Sequence, residues 1–175
     1  MPTLRNDDNV SIDISFNNFI NPTTYLISCT DLHAILGSKD LVILDASIPP
    51  VGAMAAPTQC WPNSCIPHAR RFDLNQHFSD KSSQLPHTMP SAKAFEKAAR
   101  ALGINQQSQI VVYDDLGLFS AARAWYMFKA MGHYNVAVLN GGLPAWLAQG
   151  FATKAMNSNN NLNIEKGIGL CWKCK

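Results

Sequence analysis

Five cysteines, Cys29, Cys60, Cys65, Cys171 and Cys174, are the side chains of this 175-residue chain best suited to act as nucleophiles, redox partners or soft metal ligands. An odd and sparse set does not make a disulfide-stapled scaffold, so reduced thiols are expected. Cys171 and Cys174 have C-x-x-C spacing, that of a redox dithiol or half a zinc site, with no second pair and no following helix to complete either. Cys60 and Cys65 share a proline-rich stretch with Trp61, and separation alone does not bring their Cβ atoms together. His68, His77 and His87 lack the neighbours of a ligand cluster and read as surface or hydrogen-bonding histidines, so neither a metal nor a cofactor is expected. Arg70, Arg71 and Arg123 have the guanidinium forks that match carboxylate or sulfonate-like oxygens, which would suit a small anionic substrate.

These residues need a scaffold, and the chain length fits one domain with a substantial core. An apolar fraction of 47% against 15% charged argues against wholesale disorder. Fourteen basic against twelve acidic residues, with no basic block, make nucleic acid a poor partner. No apolar run is long enough for a membrane-spanning helix, and no basic-then-apolar leader is visible. The expected setting is soluble and cytoplasmic, with a mitochondrial one the alternative in a eukaryote.

Residues 1–25 read as a loose arm, 26–151 as the folded domain, and 152–175 as an Asn-rich linker or divergent tail. Ser28 or Thr30 caps a short helix that Gly37 stops. Leu41–Leu44, Ile110–Tyr113 and Val136–Leu139 are short, continuously apolar runs, as expected of strands buried on both faces. Residues 47–67 are too rich in proline for regular structure, and a short strand over 69–72 follows. Ser91 caps a helix to Leu102, and a second helix spans Ser120–Met131. A short proline-initiated helix carrying Trp146 and Leu147 follows Asn140-Gly141-Gly142. Trp125, Tyr126 and Phe128 serve helix packing, with one or more facing a domain partner. The alternation predicts an α/β fold, an open and mostly parallel sheet with helices on both faces and chemistry beyond the C-terminal strand ends.

Several ordered stretches carry a resemblance: Cys65-Ile66-Pro67-His68-Ala69 leading to Phe72-Asp73, Ser79-Asp80, and Leu85-Pro86-His87. Val111-Val112-Tyr113-Asp114, Gly117 to Ala121, Arg123, Gly132-His133 and Val138 to Leu143 continue it. Together they resemble the N-terminal domain of two-domain rhodanese-type sulfurtransferases, the thiosulfate and 3-mercaptopyruvate enzymes, across roughly residues 26–150. The resemblance implies a rhodanese-like fold and places the nucleophilic cysteine in the other, C-terminal domain. At its position here stands Asp114, followed by Asp115, and the loop through Ser120 has no cysteine. A carboxylate cannot become a persulfide; Asp114 would instead cap the loop or the following helix.

The family usually has His at the position of Cys65 and Gly at that of His68, and it implies that this His contributes to the cleft of the mercaptopyruvate branch. Arg123 then reads as a structural residue paired with an acidic loop residue, and Arg70 and Arg71 as partly facing water. Substrate or interdomain contacts, if this chain makes them, fall to Asp114, Asp115, Arg123, Cys65, His68 and Arg70. The expectation is the N-terminal half or a truncated homologue of a sulfurtransferase, inactive alone, whose partner is a second catalytic rhodanese domain or another copy of itself. The alternative is a noncatalytic binding or scaffolding module. A cysteine phosphatase, which needs a cysteine and an arginine-bearing loop, is remote because neither lies between Asp114 and Ser120.

Overall fold

A computed structural model describes residues 25–48 and 64–155. The arm before residue 25, most of the proline-rich stretch with Cys60, and the tail with Cys171 and Cys174 lie outside the described residues.

The elements run β1 (Leu26–Ile27), α1 (Cys29–Ala34), β2 (Leu41–Asp45), β3 (Ser64–Cys65), β4 (Arg70–Arg71), α2 (Ala92–Ala101), β5 (Gln109–Tyr113), α3 (Ala121–Ala130), β6 (Val136–Leu139), α4 (Gly142–Ala148) and β7 (Lys154–Ala155). The main sheet has the order β1-β6-β5-β2-β4, and each of its pairings is parallel. Parallel neighbours need crossovers, and α2 lies on the way from β2 to β5 and α3 between β5 and β6.

Period-two alternation divides the core between the faces. Val42, Leu44, Ile110, Val112, Val136 and Val138 meet Phe95 and Ala99 of α2 and Ala124, Met127 and Phe128 of α3. Ile43, Val111, Ala137 and Leu139 meet Leu32 of α1 and Leu143 and Trp146 of α4. Continuous apolar strand segments are therefore the sequence image of a sheet covered on both sides. On the first face Phe72 stacks on Phe78 at 3.7 Å between centroids, with Phe95 and Phe128 edge-on to each other at 5.1 Å. Each ring buried this way contributes about 1.5–3 kcal/mol. On the second, the fully buried Trp146 donates its indole N–H to Ala152 O at 3.0 Å and ties α4 to the chain beyond it.

Local signals account for the helix ends. Ser28 Oγ accepts from Asp31 N at 3.1 Å and Ser91 Oγ from Ala94 N at 3.4 Å. α4 departs from expectation: it starts at Gly142, so Pro144 is its third residue rather than its first. Two pairings are also additional. β1 precedes the first expected helix, and β7 pairs antiparallel with β3, Cys65 opposite Lys154, where a linker was expected. His133 is buried with Nε2 2.9 Å from Ser108 O, and burial pushes its pKa down, favouring the neutral ring.

Candidate functional site

β5 lies at the centre of the main sheet and ends at Tyr113, so the residues that follow emerge in the middle of the C-terminal edge. There the loop 114–120 turns into α3, and its first residue organises it. Asp114 is fully buried. Its Oδ1 accepts from Leu116 N at 3.0 Å and Gly117 N at 2.7 Å, and its Oδ2 from Ser120 N and Ala121 N, both at 2.8 Å. Four backbone donors thus form an anion cradle at the head of α3, and the chain fills it with its own carboxylate. Ser120 occupies the N-cap position but makes no side-chain cap bond; Asp114 does that work, which bears out the expectation that it caps loop and helix.

Beneath the loop a polar group joins three strand ends. Arg71 and Tyr113 are both in register with Asp45. Asp45 Oδ1 accepts from Ser47 N at 2.9 Å and Ser47 Oγ at 2.5 Å, and lies 3.2 Å from Arg71 Nη1 in an ion pair. Burial pushes the Asp45 carboxyl up, against the opposing pull of Arg71 and Ser47. Ser47 Oγ also accepts from Asp115 N at 3.0 Å, which fastens the group to the loop. The buried Tyr113 hydroxyl accepts from Ile66 N at 3.2 Å, and burial holds it protonated far above the ordinary tyrosine range.

The remaining expected site residues are distributed around this centre. Cys65 is a free, buried thiol whose pKa burial pushes up, reinforced by the nearby Asp45 charge, which favours the thiol over the nucleophilic thiolate. His68 is exposed at φ +66 in a turn closed by Ala69 N to Ile66 O at 3.0 Å, with Pro67 before it. Proline followed by a positive φ is a type II turn, where glycine is favoured and another residue costs about 1 kcal/mol. Arg70 is directed away from the loop and donates to Leu102 O at the end of α2. Arg71 is engaged in the ion pair and 14% exposed, so it faces water only in part, as expected. Arg123 corrects another expectation: its guanidinium donates to the carbonyl of His87 at 2.6 Å, and among the described residues it has no acidic partner. Phe128 is core, Trp125 is partly buried, and Tyr126 is 55% exposed. Among the described residues no three His, Cys, Asp or Glu side chains gather as metal ligands, and no helix is long and apolar enough to cross a membrane.

Sequence reasoning missed Asp45, Ser47 and Tyr113, whose only signal was a polar residue closing a buried strand. It also missed the loop's apolar crown, Leu116, Leu118 and Phe119, each 47–53% exposed. Three large apolar residues in so short a loop were the available clue. The loop rests on α4, where Leu143 N donates to Asp114 O at 2.9 Å.

A family model described as "Rhodanese-like domain" matches residues 28–149. Thiosulfate/3-mercaptopyruvate sulfurtransferase 2 of Arabidopsis thaliana is 43% identical over 135 residues, covering 77% of this chain and 39% of that protein. Human 3-mercaptopyruvate sulfurtransferase is 40% identical over 122 residues, covering 67% of this chain and 40% of that protein. The crystal structure of the 3-mercaptopyruvate sulfotransferase of Escherichia coli superposes with a TM-score of 0.73 at 32% identity, covering 83% of this chain and 54% of that one. The chain spans about two fifths of the length of the curated relatives it matches. Its parallel sheet covered on both faces, the loop that heads α3 and these matches together make the chain a member of the rhodanese-like domain family.

Proposed function

We propose that this chain is the noncatalytic, N-terminal-type domain of a sulfurtransferase that moves sulfane sulfur from thiosulfate or 3-mercaptopyruvate to a thiol or cyanide. The observation that carries the reading is the Asp114 carboxylate held by four backbone N–H groups at the head of the loop. Sulfur transfer from thiosulfate needs a thiolate in such a cradle. The thiolate attacks the outer sulfur, an S–S bond forms as the thiosulfate S–S bond breaks, and sulfite leaves with the electron pair; cyanide then removes the outer sulfur and restores the thiolate. Asp114 offers a hard oxygen nucleophile to none of these steps, and its charge excludes a second anion from the same donors. The buried thiols Cys29 and Cys65 have pKa values pushed up by burial, which favours the unreactive form.

The intact 175-residue chain, incubated with thiosulfate and cyanide or with 3-mercaptopyruvate and a thiol, is expected to give no product above the protein-free rate. Mass spectrometry should find no sulfur adduct on peptides covering residues 109–123. Turnover, or a persulfide formed by this chain, would overturn the reading.

The exposed crown supports a partner. Leu116, Leu118 and Phe119 form an apolar rim beside the cationic Arg123, a surface suited to docking a second rhodanese domain. A noncatalytic binding module would use the same face. Phe119→Asp should leave the fold intact, because the ring is 47% exposed, and weaken association with a separately prepared catalytic rhodanese domain. A loss of about tenfold or more is expected for an anchor residue. Unchanged affinity by sedimentation or calorimetry would remove the crown from the interface.

A further inference from the structure

At the opposite end of the molecule, the ammonium of Lys129 sits among three aromatic rings. Its Nζ lies 5.7 Å from the ring centroid of Tyr25, 5.6 Å from that of Trp125 and 5.5 Å from that of Tyr134. It also donates to Tyr134 O at 2.8 Å. Trp125 and Lys129 are one turn apart on α3; Tyr134 lies in the connection to β6, and Tyr25 immediately precedes β1. Tyr25 meets Trp125 edge-on at 5.3 Å. Three separate pieces of chain converge on one positive charge.

What the charge holds is an edge. Among the described residues β1 pairs with β6 alone, and Val138 N and Asn140 N donate to Tyr25 O and Ile27 O at 2.8 and 2.9 Å. A two-residue strand has little pairing of its own to resist fraying, so a contact at Tyr25 weighs heavily in whether the edge stays closed. The ring faces attract a cation and lose that attraction when the nitrogen is neutral.

We propose that Lys129 is a modification site and a charge-reading clasp: N-acylation of Nζ removes the cation from the Tyr25–Trp125–Tyr134 cage and loosens β1 from β6. The reagent class is an acyl thioester. The free amine attacks the carbonyl carbon, the C–N bond forms as the C–S bond breaks, the thiolate departs with the electron pair, and Nζ gives up its proton to water. Partial burial lowers the Lys129 pKa, which increases the free-amine fraction open to such a donor. Lys129 is half-buried rather than enclosed, so the donor has access.

Amide hydrogen exchange on the full chain tests this. In Lys129→Gln the Val138 and Asn140 amides should exchange roughly five- to tenfold faster than in the wild type, the range expected for losing partly exposed cation–π contacts. The Ala46 and Ile110 amides, which donate to Tyr113 O and Asn135 O, should keep their rates and serve as the internal reference. Lys129→Arg, which keeps the charge, should behave as the wild type. Treatment with an acetyl thioester should accelerate the same two amides in the wild type and not in Lys129→Arg. The clasp is overturned if Lys129→Gln exchanges at wild-type rates, if Lys129→Arg is as fast as Lys129→Gln, if the reference amides accelerate equally, or if acylation affects wild type and Lys129→Arg alike.

Discussion

Replacing Asp114 with alanine should lower the unfolding free energy by about 3–5 kcal/mol, measured by urea denaturation at neutral pH. The carboxylate accepts from Leu116, Gly117, Ser120 and Ala121, and alanine removes every one of those acceptors while leaving the donors fixed by loop and helix. A charged hydrogen bond of this kind contributes about 1.5–3 kcal/mol, and the total falls short of fourfold that because water can enter a loop whose rim is exposed. Asp114→Asn should lose about half as much: one amide oxygen still accepts, but the amide NH2 now faces two N–H donors. Because Ser120 makes no side-chain cap bond, α3 has no substitute N-cap, and the loss should appear as fraying of its first turn. An alanine variant within about 0.5 kcal/mol of the wild type, the usual scatter of a surface change, would show that the cradle does not depend on Asp114.

The legible parts of the fold were those specified locally. Leu41–Leu44, Ile110–Tyr113 and Val136–Leu139 announce themselves because a strand covered on both faces needs apolar residues at both parities. Ser28 and Ser91 announce helix starts because each hydroxyl accepts from the amide three residues on. Asp114 was readable as a cap once the resemblance put it at the head of the loop, and the donors it satisfies follow within seven positions.

What stayed hidden depends on distant chain. β1 and the β3–β7 pair are two residues long, too short to carry a period, and Cys65 meets Lys154 across the whole stretch of domain between them. The Asp45–Arg71 ion pair arises from parallel register between β2 and β4, which no local spacing encodes. Arg123 was legible as structural, yet its partner is a backbone carbonyl at His87, and a carbonyl leaves no trace in residue type. Pro144 misplaced the start of α4 because two glycines ahead of it, both at positive φ, carry the turn and begin the helix earlier.

Gly142 is the position where these local and distant constraints meet, and Gly142→Ala should cost about 3 kcal/mol or more. Part of that is conformational: φ is +55, and a Cβ in the left-handed region costs about 1–2 kcal/mol. The rest comes from space. The new Cβ would overlap Asp114 O and lie 3.0 Å from Gly117 Cα and 3.3 Å from Gly117 N. All three are backbone atoms of the cradle loop, so no rotamer change relieves the contact. Either α4 or the loop must move, lengthening the 2.9 Å bond from Leu143 N to Asp114 O and tilting the N–H groups that Asp114 satisfies. Gly150→Ala provides the control, because Gly150 has φ +72 with nothing within 4 Å of an added Cβ, and should cost only the conformational part. Scanning calorimetry should therefore place Gly142→Ala below Gly150→Ala by roughly 2–8 °C, because about 1–2 kcal/mol remains and each kcal/mol shifts a chain of this size by about 2–4 °C. Equal melting temperatures would mean that the loop yields to α4 freely, and the four-donor cradle would then be a soft arrangement rather than one that the packing of α4 holds in place.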